Sequence, residues 1–236
     1  VSGKKLVIHV HATDFDRSRG NVNPTVYAIE KNGMDNADHI FCVSELTRQT
    51  VIHKYHQHPD KVSTLHNAVT PLSQDILDIV PKKIPGEKVV TFLGRITMQK
   101  GPEYFVEAAA QVLKKTKNFH FPGFMRGRQV YECLKASDVY IMPSVSEPFG
   151  ISPLEAMQCD VPSIISKQSG CAEILDKCIK TDYWDINAMA DAIYSICNNE
   201  SLYEYLKVEG RKEVDSITWE DVALKLRRMY EKVLGW

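Results

Sequence analysis

The chain has 236 residues, of which 44% are hydrophobic and 25% are charged, and its formal net charge is −1. This composition fits an ordinary globular protein with one large or two small domains, and the near-neutral charge gives no indication of a nucleic-acid or membrane-surface partner. It has neither an apolar run of about 18 residues nor a signal-like start, so we predict a cytoplasmic protein without membrane association.

Six cysteines are scattered along the chain, and no two of them form a C-x-x-C pair. Several lie within apolar runs, as buried thiols of cytosolic proteins commonly do. We therefore predict reduced cysteines in the core, with neither a disulfide framework nor a zinc site.

The first 69 residues alternate apolar runs with helical segments. Strands are predicted at residues 5–11, 38–44 and 62–67. Helices are predicted at 25–33, where a glycine ends the segment, and at 45–56, where Ser44 caps it. The polar, glycine-containing residues 16–23 predict a loop. A first strand this apolar needs neighbours on both sides, so we expect this domain to be incomplete.

Residues 70–87 contain three prolines and few periodic apolar positions, which indicates a connection between domains. A buried strand follows at 88–93 and leads directly into Gly94-Arg95 and Lys100-Gly101, before a helix at 103–115. Gly94 relieves crowding where the strand ends, and the two cations lie where that strand opens into the next loop. Further helices are predicted at 129–136, 186–197, 202–214 and 219–234, and further strands at 139–143 and 160–165.

The segment from Ser144 to Met157, SVSEPFGISPLEAM, links the strand at 139–143 to a helix that Ser152 is placed to cap, with Pro153 at its first position. In an open α/β sheet, ligands bind beyond the carboxyl ends of the strands, and Gly150 allows close approach of a backbone there. The amides of Gly150, Ile151 and Ser152 suit a phosphate.

Two carboxylates flank that anion site, and carboxylates bind hydroxyl groups rather than phosphate. Glu147 lies in the turn and Glu155 lies about one turn into the helix. A ligand with phosphates at its centre and hydroxyl-rich groups at both ends is a nucleotide sugar. The two glutamates therefore predict a nucleotide-sugar site.

The segment Glu147-Pro-Phe-Gly-Ile-Ser-Pro-Leu-Glu155 resembles the E-x7-E motif of retaining glycosyltransferases of the GT-B fold, most closely glycosyltransferase family 4. Gly94-Arg95 to Lys100-Gly101 is similar to the family's G-R-x-x-x-x-K-G element, and the turn from Gly170 to Glu173 is similar to its G-x-x-E turn. The resemblance implies an α/β protein with two Rossmann-like domains, each with a mostly parallel sheet, facing each other across a cleft.

The resemblance also implies roles for individual residues. Arg95 and Lys100, after Gly94, would stabilise the diphosphate, assisted by the backbone from Phe149 through Gly150 and Ile151 to Ser152. Glu147 would orient the sugar, and Glu155 would hold the ribose. His11, at the end of the first strand, would face the sugar from the acceptor side. No metal or other cofactor is expected, because fixed cations can stabilise a leaving diphosphate.

The domain organisation implied is a partial acceptor-side domain at 1–69, a donor-binding domain at 70–218, and a final helix at 219–236 that packs back on the first domain. After Lys117 the sequence departs from the family pattern. Residues 118–124 follow at once where the family carries a further strand, loop and helix, so this sequence lacks one βα unit of about 30 residues of the donor domain. The unit is either deleted from the protein or not part of this sequence.

The expected function is metal-independent transfer of a hexose from a UDP-, GDP- or ADP-sugar to an acceptor hydroxyl, with retention at the anomeric carbon. The acceptor, a sugar or a lipid-linked sugar, is left open. The alternative is a non-catalytic nucleotide-sugar binding protein of the same fold, which the missing unit leaves open. A dehydrogenase is disfavoured because no G-x-G-x-x-G follows a strand. A phosphorylase-like enzyme would need a lysine for pyridoxal phosphate, and no lysine has a suitable context.

Overall fold

The computed structural model of the protein describes residues 3–113, 120 and 122–235. Its strands form two sheets, and every pairing in both sheets is parallel. The first sheet has the order β1 (Val7–Val10), β2 (His39–Cys42), β3 (Val62–Thr64). The second has the order β4 (Val90–Phe92), β5 (Val139–Met142), β6 (Ser163–Ser166), β7 (Ile179–Thr181). The predicted α/β class with parallel sheets is confirmed.

Helices connect these strands and cover the sheets. They are α1 (Asp14–Ser18), α2 (Pro24–Asn36), α3 (Glu45–Lys54), α4 (Gln74–Leu77), α5 (Pro102–Val112), α6 (Arg128–Ala136), α7 (Ser152–Gln158), α8 (Ile186–Asn198), α9 (Glu200–Asp215) and α10 (Trp219–Leu234). Most predicted helices are present with ends shifted by one or two residues. Within the segment 118–124, residues 118, 119 and 121 lie outside the described ranges, and so do residues 114 and 115 at the end of the helix predicted at 103–115.

Two predictions for the first part of the chain are wrong. The polar segment expected to be a loop begins within helix α1. This helix is stabilised by the Asp16 carboxylate, which accepts hydrogen bonds from the backbone amide of Thr13 (2.8 Å) and from the Thr13 hydroxyl (2.9 Å). The next helix does not end at Gly33 but continues to Asn36. A Cβ at Gly33 would lie 3.5 Å from the Ile8 side chain, an ordinary van der Waals contact, so α2 packs directly on β1 at this residue.

The second sheet is buried on both faces. Val139 and Ile141 of β5 pack in one cluster with Met189 and Ile193 of α8. The alternate residues of the same strand, Tyr140 among them, belong to a second cluster that includes α7. Burial on both sides explains why this strand is continuously apolar in sequence. A third cluster fills the face of the first sheet covered by α2 and α3.

The C-terminal helix reaches the first sheet, where the Tyr230 ring of α10 lies 5.8 Å from the ring of Phe41 on β2. The domain boundaries proposed from the sequence stay predictions. All six cysteines are free, and four of them are buried. In the part of the chain described here, no helix combines the length and apolarity that crossing a bilayer requires.

Candidate nucleotide-sugar site

The loops that follow β4 and β5 lie side by side, because these neighbouring parallel strands end at the same edge of the sheet. The amide of Val145 donates to the carbonyl of Gln99 (2.9 Å). The Gln99 side chain in turn donates to the carbonyl of Ser146 (3.0 Å). These two hydrogen bonds join the loops just before Lys100 and Glu147.

Lys100 and Glu147 form an ion pair at this junction, as their positions after neighbouring strands allow. Glu147 is only 8% exposed, and its oxygen also lies 3.5 Å from the Ser144 hydroxyl. Its backbone amide donates to the carbonyl of Gln168 (3.0 Å), in the loop after β6. Glu147 is therefore held by contacts from three consecutive loops of the second sheet, two of them to its carboxylate and one to its backbone.

Two glycines fit the loops around this ion pair. Gly150 has φ +93°, and a Cβ there would lie 3.0 Å from the Met142 methyl and 3.1 Å from Cγ of Glu147. Gly101 has φ +60°, and its Cβ would lie 2.5 Å from the carbonyl oxygen of Pro143. Side chains at these positions would combine an unfavourable backbone conformation with steric overlap.

The start of α7 differs in one detail from its prediction. Ser152 is the first helical residue and does not cap the helix, and Ile151 precedes it. The Ser152 hydroxyl lies 2.7 Å from the hydroxyl of the buried Tyr140, a partner that local sequence could not indicate. The amides from Gly150 to Ser152 still lie at the helix start, where amides lack partners within the helix.

The second glutamate of the motif is partly buried one turn into α7. Burial raises the pKa of Glu155, and a hydrogen bond with Tyr131 opposes that shift. The Phe149 side chain is buried in the core, 6.3 Å from the ring of His66, so a ligand could meet this residue only through its backbone.

The remaining predicted residues lie nearer the surface. Arg95 is exposed after β4, and its guanidinium forms no ion pair or side-chain hydrogen bond with the residues described. Gly94 lies beside Lys100: a Cβ on this glycine would be 3.7 Å from the lysine side chain. His11 is exposed directly after β1, and its ring lies 4.4 Å from that of His9.

The first half of the chain contacts this loop cluster through residues that the sequence analysis missed. The hydroxyl of Ser146 donates to the buried carboxylate of Asp16 (2.7 Å), in the helix that follows His11. Arg19 contacts the carbonyl of Met98 and the carboxylate of Glu103 (2.7 Å). The only signal for these contacts in the sequence is the concentration of charge between residues 14 and 19.

No metal site is formed by the residues described, since they include no group of three His, Cys, Asp or Glu side chains that could hold an ion. The site thus combines an acid, cations and helix-start amides at the carboxyl ends of parallel strands, with a second parallel sheet joined across it. This is the architecture of a GT-B protein.

Comparison with known proteins assigns the family. The profile "Glycosyl transferases group 1" matches residues 113–213, and "Glycosyltransferase Family 4" matches residues 1–71. Between them they account for most of the chain. The chain belongs to the group 1 glycosyltransferases, similar to glycosyltransferase family 4.

Relatives by sequence include the uncharacterized glycosyltransferase MJ1607 of Methanocaldococcus jannaschii, which is 24% identical over 94% of this chain and 68% of its own length. A 2-deoxystreptamine N-acetyl-D-glucosaminyltransferase of Niallia circulans is 30% identical over 56% of this chain and 41% of its own. The chain thus spans between about two fifths and two thirds of these relatives. The alignment with the first covers 265 positions, so that relative has residues within the matched span that this chain of 236 lacks.

Solved structures share the fold. Sucrose-phosphate synthase from Thermosynechococcus elongatus matches with a TM-score of 0.78 and 20% identity, over 97% of this chain and 68% of that one. Anabaena HepE in complex with UDP-glucose matches with a TM-score of 0.79 and 16% identity, over 97% of this chain and 72% of that one. At these identities the likeness establishes the GT-B fold.

Proposed function

We propose that the protein transfers a hexose from a nucleoside diphosphate sugar to an acceptor hydroxyl with retention at the anomeric carbon. The observation that carries this proposal is the partly buried Lys100–Glu147 pair, which lies where the loops after β4 and β5 meet. In this proposal the lysine binds the diphosphate, and the adjacent carboxylate binds hydroxyl groups of the sugar. A nucleotide sugar presents its diphosphate and its sugar hydroxyls in the same juxtaposition.

In the proposed reaction, the bond between the anomeric carbon and the diphosphate oxygen breaks as charge develops on the leaving group. Lys100 and Arg95 stabilise that charge, together with the amides at the start of α7. Glu147 accepts hydrogen bonds from sugar hydroxyls and fixes the orientation of the ring. The acceptor oxygen binds the anomeric carbon on the same face, and its proton passes to the departing phosphate.

Two further roles complete the proposal. Glu155, in the first turns of α7, accepts hydrogen bonds from the ribose hydroxyls. His11 faces the sugar from the first half of the chain, whose adjoining helix α1 contacts Ser146. We propose that these fixed cations make a divalent metal unnecessary, so that turnover should be unchanged by a chelator.

UDP is the first nucleotide to test, because the HepE structure that shares this fold contains UDP-glucose. Thermal shift should be measured with UDP, GDP and ADP and with their glucose conjugates, since ligands that bind only the folded state raise its stability. The test variant is Arg95→Ala/Lys100→Ala. The control is Lys225→Ala/Arg228→Ala, which removes two cations from an exposed stretch of α10.

A shift with one nucleotide that is lost in the test variant and kept in the control supports the donor site. Release of the nucleoside diphosphate from its sugar conjugate, lost in Glu147→Ala, supports the transfer reaction. Binding without turnover would favour instead a non-catalytic nucleotide-sugar binding protein of the same fold. No shift with any nucleotide would contradict both functions.

A further inference from the structure

Glu173 connects the two halves of the chain. It ends the 3-10 turn at Gly170–Glu173, after β6, but its carboxylate contacts the first half. One carboxylate oxygen accepts a hydrogen bond from the backbone amide of Glu45, and the other accepts one from the backbone amide of Leu46, both at 2.8 Å. The Nε2 atom of His66 lies 2.6 Å from the carboxylate. All three partners lie more than 100 positions away in the sequence.

These contacts complete the first turn of α3. The Ser44 hydroxyl accepts the amide of Thr47 (3.0 Å), and the Ser44 carbonyl accepts the amide of Arg48 (2.9 Å). The amides of Glu45 and Leu46 remain, and Glu173 accepts both. The start of a helix carries partial positive charge, so a carboxylate suits this position.

The same turn holds the loop that carries Glu147. The amide of Gly170 donates to the carbonyl of Glu147 (2.9 Å), and the amide of Cys171 donates to that of Phe149 (2.7 Å). Gly170 is packed tightly, since a Cβ there would lie 2.1 Å from the carbonyl oxygen of Pro148 and 2.5 Å from Cβ of Ser44. Glycine at this position lets the turn fit between the Glu147 loop and the start of α3.

We propose that Glu173 is a positioning residue for the proposed donor site. It docks the start of α3 on the turn after β6, and that turn holds the backbone of Glu147 in place. The inference rests on the proposed function, because it assigns to Glu173 the orientation of a group that would bind the sugar. This role accounts for the G-x-x-E spacing. Gly170 allows the turn to pack closely against the start of α3, and Glu173, three residues later, binds the amides of that helix.

The electrostatics of Glu173 agree with this role. Partial burial acts to raise its pKa, but the hydrogen bonds from His66 and from the two amides outweigh that effect, and the pKa of Glu173 is lowered. The ionised form is therefore the one that binds α3. A neutral amide in its place keeps the shape but presents a donor to one of the two backbone amides.

The test is Glu173→Gln, with Glu213→Gln as the matched control. Glu213 also accepts two consecutive amides, those of Asp176 (2.8 Å) and Lys177 (2.9 Å), but both lie within the second half. Amide hydrogen exchange should be followed in the whole protein at residues 45–48, at 145–151 and at 176–177. Binding of UDP should be measured by calorimetry in parallel.

We expect Glu173→Gln to accelerate exchange by about tenfold both at 45–48 and at 145–151. This factor corresponds to the loss of one charge-assisted hydrogen bond. UDP binding should weaken by a similar factor. Glu213→Gln should affect only the amides near 176–177. Faster exchange confined to 45–48, or equal effects of both variants on 145–151, would overturn the inference. If the wild type binds none of UDP, GDP and ADP, the donor proposal fails, whereas the exchange data still decide whether Glu173 holds the Glu147 loop in place.

Discussion

At the scale of single residues, the Lys100–Glu147 pair has a consequence for ligand binding. The pair neutralises both charges inside the site, so a diphosphate must compete with Glu147 for Lys100. We predict that Glu147→Gln lowers sugar transfer by about a hundredfold or more, because a positioned polar group in the site is lost. Affinity for UDP alone should stay equal or rise by about threefold, since Lys100 no longer binds a carboxylate.

Calorimetry with UDP and an assay of UDP release distinguish these two effects. Glu103→Gln is a suitable control, because Glu103 also contacts a cation near the site but is exposed. A parallel loss of UDP affinity and transfer in Glu147→Gln would show that the carboxylate maintains the loop itself rather than serving the sugar.

Glu155 illustrates a conflict between stability and binding. Burial raises its pKa, so the folded protein disfavours the charged form and loses stability as pH rises through that pKa. We predict that Glu155→Gln raises the melting temperature at neutral pH and loses that advantage in acid, where the native carboxyl is protonated. Donor affinity should fall by about tenfold, as expected when a charged acceptor of hydrogen bonds is removed. Melting curves from pH 4 to pH 8 and UDP titrations measure both effects.

At the scale of elements, the turn between β4 and α5 depends on Gly101. Its φ of +60° alone disfavours other residues by about 1 kcal/mol, and the overlap with Pro143 adds to that cost. We predict that Gly101→Ala destabilises the protein by about 3 kcal/mol in urea unfolding. Gly86→Ala is the matched control: φ is +84° but no atom lies within 4 Å, so only about 1 kcal/mol should be lost. Equal losses would contradict the steric argument.

The contact between Glu173 and α3 predicts a pH dependence. Because the folded-state pKa of Glu173 is lowered, its contribution is complete above the unfolded-state pKa and is lost as pH falls through the folded-state value. The difference in unfolding free energy between wild type and Glu173→Gln should therefore be largest at neutral pH and shrink in acid. Urea titrations of both proteins at several pH values measure it. A difference independent of pH would show that charge plays no part.

The elements that the sequence predicted well have local causes. Strand β5 is continuously apolar because both of its faces are buried, and α3 begins where Ser44 caps it. By contrast, α1 was missed because its stabilising carboxylate lies within a polar, glycine-containing segment that favours a loop. Strand β7 was missed because three residues, Ile-Lys-Thr, carry little periodicity.

In the candidate site too, the features that neighbouring residues determine could be predicted, and the contacts between distant residues could not. That Lys100 and Glu147 lie together follows from their places after neighbouring parallel strands, which the motifs indicated. The partners from the first half could not be predicted, since Asp16 and Ser146 are 130 positions apart and nothing local pairs them. Likewise, nothing in the sequence around Ser152 indicates that its hydroxyl binds Tyr140 rather than capping α7.

At the scale of the whole molecule, the halves are joined on two sides of the loop cluster. Asp16 and Arg19 contact the loops after β4 and β5, and Glu173 contacts α3 and His66. Apolar contacts join the halves as well, since Val43 and Val69 belong to the buried cluster that includes α7. We predict one cooperative transition for the wild type in calorimetry, because unfolding either half removes partners from the other.

Weakening both connections, with the Ser146–Asp16 hydrogen bond left in place, should separate the halves energetically. We predict that Arg19→Ala/Glu173→Gln splits or broadens the transition, so that the calorimetric enthalpy exceeds the van't Hoff enthalpy, whereas each single variant only lowers its midpoint. The control is Arg227→Ala/Glu213→Gln, which removes one contact within α10 and one within the second half. That variant should unfold in one transition. If the test variant also does so, the apolar contacts between the halves, such as Phe41 with Tyr230, are sufficient to couple them.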